Sequence, residues 1–239
     1  MAFHVLIVAL VTIMLMLANW QWDRHQQRIA FNNTLIERVD TPTQPLEQVL
    51  VEFPNASDAE WRSVVVTGLY LQDHDIQIVN VSQGGGPGFD PVTPLQLSDG
   101  RLILVNRGFV PLVLSAPAAP SGRIEIVGYL RASQSRSALG PIDSTDASNT
   151  EFQRFDVPLI AAHVGRTIEP MFLQLIQETP APTSPWPAKV PLPPLDEGTH
   201  LSYAMQWFFF CLVAITAWVV VVRRKILQVN ASVQAQTSA

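Results

Sequence analysis

The sequence predicts an α+β protein in which two transmembrane helices flank an extracytoplasmic antiparallel β-sheet or partial barrel with a few helices. Three observations carry that prediction. Residues 2–18 and 204–222 contain no Lys, Arg, Asp or Glu. Between them lie short segments rich in Val, Ile, Leu and aromatics, bounded by turn residues. No regular alternation of strand with long helix occurs there, which argues against a parallel doubly wound sheet.

The two apolar runs come first. A spanning helix needs about 20 apolar residues. Run 204–222 has 19 and run 2–18 has 17, with His4 near its outer end. For the first run a removable signal peptide competes with an uncleaved anchor. The anchor is favoured because no Lys or Arg precedes the run and Met16-Leu17-Ala18 is a poor small-x-small cleavage site. Arg223, Arg224 and Lys225 follow the second run directly, and basic residues at a span end favour the cytoplasm. Both termini are then cytoplasmic and the loop is periplasmic, in a protein of the cell inner membrane. In a mitochondrion the loop would face the intermembrane space. The expected organisation is a first span at 1–19, a periplasmic domain at 20–203, a second span at 204–222 and a tail at 223–239. From about Asn230 the tail reads as disordered.

Charge narrows the partners. Only 15% of residues are charged, against about 25% in a typical soluble domain. The loop holds all 20 acidic residues and 12 of the 15 basic ones, a formal charge of −8. That argues against a nucleic-acid partner, which needs a basic face. The single cysteine, Cys211, lies in the second apolar run, so the loop depends on an apolar core rather than disulfides.

Within the loop, residues 21–39 lack Gly and Pro and place Ile29, Leu35, Ile36 and Val39 at mostly helical spacings, so the first helix is expected to extend over 20–40. Pro42 and Pro45 end it. Residues 46–51 suit a short helix. The β-rich core at 61–178 contains expected strands at 62–70, 75–81, 91–97, 101–110, 123–130 and 170–177, with Ser98-Asp99-Gly100 as a hairpin turn. Ile76 and Ile78, with Asn80 next in the series, alternate with Gln77 and Val79 and suggest one buried face. Residues 84–88, Gly-Gly-Gly-Pro-Gly, read as a long flexible hairpin loop and lack the ending of a phosphate loop. One helix is expected where Asp156 caps, Pro158 enters the first turn and Gly165 ends it. Seven prolines between residues 179 and 194 predict an extended strap reaching to about 199.

Catalytic constellations are missing. There is no Gly-x-Ser-x-Gly elbow, no His-Glu-x-x-His and no cysteine pair, and His25, His74, His163 and His200 stand singly. The sequence therefore predicts a protein that is not an enzyme. The informative stretch is 199–207. As a helix it places His200, Tyr203 and Trp207 on one face, with Ala204 allowing a flat body to approach. An imidazole just outside the hydrocarbon could ligate a metal, and an interfacial belt of polar aromatics is the competing reading. Trp20 and Trp22 suit the membrane interface after the first run. Gln21, Arg24 and Arg28 share a face of the extended helix, where guanidinium groups would pair with carboxylates or with lipid phosphates.

Taken in order, several motifs resemble the Surfeit locus protein 1 family. They are Trp20-Gln21-x-x-Arg24, Trp61-Arg62-Ser63-Val64-Val65-Val66-Thr67-Gly68, Pro87-Gly88-Phe89 followed by Thr93-Pro94-Leu95, Val105-Asn106-Arg107-Gly108-Phe109-Val110-Pro111, and His200-Leu201-x-Tyr203-Ala204-x-x-Trp207. The resemblance runs from residue 18 to about 225. It implies an assembly factor for cytochrome c oxidase, a chaperone assisting delivery of heme a to subunit I, with subunit I and heme a synthase as partners beside membrane lipids. It makes His200 the candidate ligand of heme iron. Tyr203, Trp207, Trp20 and Gln21 would line the cofactor, and Arg24 or Arg28 would meet its propionates. Arg62, Gly68, Asn106, Arg107 and Gly108 are expected to be structural, Gly108 by permitting a bulge or close approach and Arg107 by anchoring a strand to a carboxylate. A cofactor-free scaffold for an oxidase assembly intermediate is the alternative role.

Overall fold

A computed structural model describes residues 1–144, 146 and 148–237. The chain forms two compact units, Met1–Thr34 with Pro194–Ala239, and Leu35–Pro193. Helix α1 (Ala2–Val39) is continuous for 38 residues, so the first apolar run and its expected extension are one helix.

The second unit carries the sheet. Its elements are β1 (Gln44–Pro45), α2 (Leu46–Glu52), α3 (Ala56–Ala59), β2 (Ser63–Tyr70), a 3-10 turn (Gln72–His74), β3 (Ile76–Gln83), β4 (Gly86–Leu97), β5 (Leu102–Asn106), β6 (Val110–Pro111), β7 (Arg123–Ala132), β8 (Glu151–Phe152), α4 (Val157–Val164) and β9 (Ile168–Thr179). Pairing runs β2–β7–β9–β5–β4, and β4 returns to β2 through Gly68↔Leu97, Leu69↔Gln96 and Tyr70↔Leu95. These five strands close a ring, the barrel-like sheet that the sequence predicts within an α+β fold. Most pairs are antiparallel, but β5–β9, β1–β2 and β3–β8 are parallel, so the sheet is mixed.

Side-chain alternation explains how the ring fills. On β5, Ile103 and Val105 join one apolar cluster with Val64, Leu95, Ile126 and Leu173. Leu102 and Leu104 point the other way, into a cluster with Ile78, Phe152, Ile160 and Phe172, which α4 covers. All five β5 residues are buried. A near-continuous apolar strand is what a parallel pair covered on both faces requires. Helix α4 follows its sequence signals, with the Asp156 side chain accepting from the Leu159 N–H, Pro158 in the first turn and Gly165 left-handed at the end.

Three expectations change. Residues 84–88 do not form a long loop. Gly84 and Gly85 alone make the turn, both with positive φ, and β4 already pairs from Gly86. Asn80 does not extend the buried face of β3; it adopts φ 61° at a register shift between Ile78 and Val81 and is exposed. The expected strand 101–110 breaks at Arg107 and Gly108. The Asn106 side chain accepts from the Gly108 N–H at 2.9 Å, and Gly108 has φ 120°.

Helix α5 (His200–Thr237) completes the first unit. It overrides the expected disorder beyond Asn230, because no Gly or Pro interrupts 200–237 and its Ala, Gln and Val residues tolerate a helix. Both α1 and α5 are long and apolar enough to cross a membrane, with mean hydropathy 2.3 and 2.2 over their most apolar windows. Most large apolar side chains on them are exposed, for example Met16, Phe209 and Leu212. Within the two apolar runs the buried positions are small: Ala18, Ala204 and Cys211. Small residues allow close backbone approach where the hydrophobic effect cannot drive helix association. Ala204 is thus spent on packing within the protein, not on receiving an outside body. His4 meets Trp218, Val11 meets Cys211 and Gln21 meets His200, an antiparallel order.

Candidate functional site

The first unit gathers several of the sequence-selected polar residues at one end of the helix pair. His200 is the first residue of α5, and its Nδ1 lies 2.8 Å from Gln21 Oε1 on α1. An amide oxygen only accepts, so Nδ1 carries the proton and Nε2 remains the basic nitrogen. Gly198 stands beside that nitrogen with φ 68°. A Cβ there would come within 3.5 Å of His200 Cδ2 and 4.0 Å of Nε2, so the missing side chain leaves the ring's outer edge open. The Gly198 N–H donates to Asp196 Oδ1 at 3.0 Å, a side-chain-closed turn that leads the chain into α5.

Two residues of α1 clamp this turn. Arg28 Nε donates to the Asp196 carbonyl at 2.9 Å and Nη2 to the Pro194 carbonyl at 2.5 Å. Asn32 Nδ2 donates to the carbonyls of Leu195 and Asp196 at 3.2 and 3.1 Å. The Asp196 carboxylate is 3.7 Å from Arg28. Arg24, by contrast, donates to Gln27 Oε1 at 3.0 Å and has no carboxylate within ion-pair distance among the described residues. Arg24, Gln27, Arg28, Phe31, Asp196, Gly198 and His200 line a recess of about 390 Å³. Its two guanidinium groups face a single carboxylate, so it favours an anion.

Tyr203, Trp207 and Trp20 do not line this recess. Tyr203 is exposed and Trp207 half-buried on α5, with Trp207 edge-on to Phe210 at 5.9 Å. Trp20 lines a separate groove with Thr12, Leu15, Met16, Asn19, Asp23 and Phe208. Sequence reasoning missed Gln27, Phe31, Asn32, Asp196 and Gly198. The Asp196-x-Gly198 turn directly ahead of a helix start was the signal available for the last two.

In the sheet unit, the remaining motif residues are absorbed into the fold. Trp61, 4% exposed, carries the Arg131 guanidinium 3.6 Å from its ring centroid, and Arg62 stacks over Phe53 at 3.5 Å. A Cβ on Gly68 would meet the Gln96 carbonyl oxygen at 2.5 Å, so glycine is what lets β2 close on β4. Asn106 Nδ2 donates to Asp90 Oδ2 at 2.8 Å. A Cβ on Gly108 would stand 2.3 Å from the Ala188 carbonyl oxygen, where Phe109 and Ala188 exchange backbone hydrogen bonds. The run 106–109 is therefore the dock for the proline-rich strap. Arg107 is not the carboxylate anchor the sequence suggested. Its Nη1 and Nη2 donate to the carbonyls of Pro117 and Ala118 at 2.9 and 3.1 Å and tie down that loop. Burial pushes Asp90 up to about 6, against the opposing Asn106 hydrogen bond. Burial likewise raises Glu178, with Arg107 opposing, and raises Tyr70, which Glu178 pushes further.

A pair of helices long and apolar enough to cross a membrane, continuous in sequence with a closed mixed barrel, defines a membrane-anchored protein. Residues 8–212 match the SURF1 family. The chain belongs to that family. It is 30% identical over 204 residues to an uncharacterised SURF1-like protein of Mycobacterium tuberculosis, covering 83% of this chain and 73% of that one. A SURF1-like protein of Monosiga brevicollis is 27% identical, covering 87% and 83% of the two chains. Surfeit locus protein 1 of Mus musculus is 26% identical, covering 84% and 70%.

Proposed function

We propose that this protein is an assembly factor for cytochrome c oxidase that receives heme a at the His200 recess and passes it toward subunit I. The observation that carries the cofactor reading is the Gln21–His200 contact, which engages Nδ1 and directs Nε2, the acceptor nitrogen of the neutral ring, toward a residue without a side chain. Among the described residues no three His, Cys, Asp or Glu side chains converge on a common point. A bare metal ion would lack a cage there, whereas a heme supplies four ligands of its own and asks the protein only for an axial one. Arg24, free of carboxylate partners, suits a propionate. Arg28 and Asn32 hold the turn that orients His200.

In this reading the protein's residues bind and orient. Gln21 fixes the tautomer of His200, as a second partner of a ligating histidine commonly does. The domain at 35–193 would face the periplasm, with the basic end of α5 in the cytoplasm and the anchor in the inner membrane. Subunit I and heme a synthase are the expected neighbours.

The test is purification of the full chain from cells that make heme a. The wild type is expected to carry heme absorbance that His200→Ala loses, with the oxidase copurifying. Unchanged heme content and spectrum in His200→Ala would defeat the cofactor role. Copurification of the oxidase without any heme in the wild type would leave a cofactor-free scaffold.

A further inference from the structure

The opposite end of the helix pair carries a second recess. One stripe of α5, Val222, Lys225, Ile226, Val229 and Asn230, follows the three- and four-residue steps of a single helix face and lines a cavity of about 470 Å³ together with His4 of α1. Trp218 Nε1–H donates to His4 Nδ1 at 3.0 Å, with the rings edge-on. An indole nitrogen only donates, so His4 Nδ1 must accept and the proton of its ring sits on Nε2. The recess thus offers three kinds of donor, His4 Nε2–H, the Lys225 ammonium and the Asn230 NH2, beside one neutral acceptor, the Asn230 amide oxygen. No Asp or Glu occurs in residues 1–22 or 197 onward except Glu197 itself, and none pairs with Lys225 among the described residues. Its apolar lining is aliphatic: Val222, Ile226 and Val229.

We propose that this recess binds the phosphate of one anionic glycerophospholipid. A phosphodiester accepts from several donors at once and needs an uncompensated cation, while the aliphatic wall takes the start of an acyl chain. Anionic head groups attract basic residues at a span end in general. This recess differs from such diffuse attraction in being a defined site, set by the Trp218–His4 contact that fixes which imidazole nitrogen donates. Arg223 and Arg224, which do not line the recess, lie outside it.

The site can be read by native mass spectrometry of the full chain in detergent, titrated with phosphatidylglycerol and phosphatidylcholine of matched acyl chains. One phosphatidylglycerol adduct is expected to be retained about tenfold more strongly than phosphatidylcholine. Lys225→Gln and His4→Phe should each lower that preference at least about fivefold, and Lys225→Arg should keep it. Arg224→Gln should change it less than about twofold. Equal retention of the two lipids, or an Arg224→Gln effect as large as that of Lys225→Gln, would overturn the proposal by reducing it to diffuse attraction. Displacement of the lipid by inorganic phosphate at comparable concentration would overturn the lipid assignment as well.

Discussion

Two polar clusters on this chain look alike in sequence, each pairing an amide with an arginine, and the structure uses them in opposite ways. At the head of the helix pair, Gln21 spends its oxygen on His200, and Arg24 reaches only Gln27. Among the described residues His200 Nε2 has no hydrogen-bond partner and Arg24 has no carboxylate partner. In the barrel, Asn106 is bonded through both side-chain atoms, and Arg107 gives both terminal nitrogens to backbone carbonyls. Binding capacity lies where polar groups are left over. The more conspicuous motif, 105–111, has almost none to offer because folding has consumed it.

That contrast can be broken by mutation, and the largest effect is expected in the barrel. Gly108→Val would force a side chain to within 2.3 Å of the Ala188 oxygen at φ 120°. It should cost about 4 kcal/mol or more, read as a lower apparent Tm and faster tryptic cleavage after Lys189. Ligand retention by the protein that still folds should be unchanged.

Asp90→Asn comes next. Its carboxyl sits at about 6 in the fold, above the ordinary value near 3.9. Between those values the folded state binds the extra proton, so the wild type loses stability as pH rises through about 6. The variant should gain up to about 3 kcal/mol at pH 7.5 and nothing at pH 4, measured by denaturant or thermal unfolding at the two pH values. A gain of equal size at both would refute the burial argument.

Arg107→Met should cost about 2 kcal/mol through two lost charge-assisted hydrogen bonds, with faster amide exchange confined to residues 112–120 and heme content untouched. The smallest effect belongs to Arg24→Gln, a fall of about fivefold in affinity for a carboxylate-bearing ligand with no change in unfolding. If Arg24→Gln destabilised the fold while Arg107→Met changed ligand binding, the comparison would be inverted.

Much of this was legible in sequence because local signals agreed with the fold. The two apolar runs, the Asp156-to-Gly165 helix and the strand segments needed only period, caps and turn residues. What escaped depended on distant partners. Alternation alone puts Leu102 and Leu104 on the face opposite Ile103 and Val105, but nothing local shows that both faces are covered, since the second cluster is built by distant residues such as Phe152, Ile160 and Phe172. Gly84 and Gly85 were visible as glycines, but the tightness of their turn depends on where Gly86 finds its partner strand. At the site, His200, Gln21, Arg24 and Arg28 were readable from helical phase. The division of labour between the two arginines was not, because it depends on the carbonyls of Pro194 and Asp196 being presented to Arg28.

The seam at Gly68 has a further consequence. Only three residue pairs join β2 to β4 there, and the first of them relies on the absence of one methyl group. A ring has no free rim, but a ring held shut over so short a stretch becomes an open sheet with two unsatisfied borders once that stretch is wedged apart. Damage at this position would therefore show itself as sticking between molecules through the newly bared strand borders.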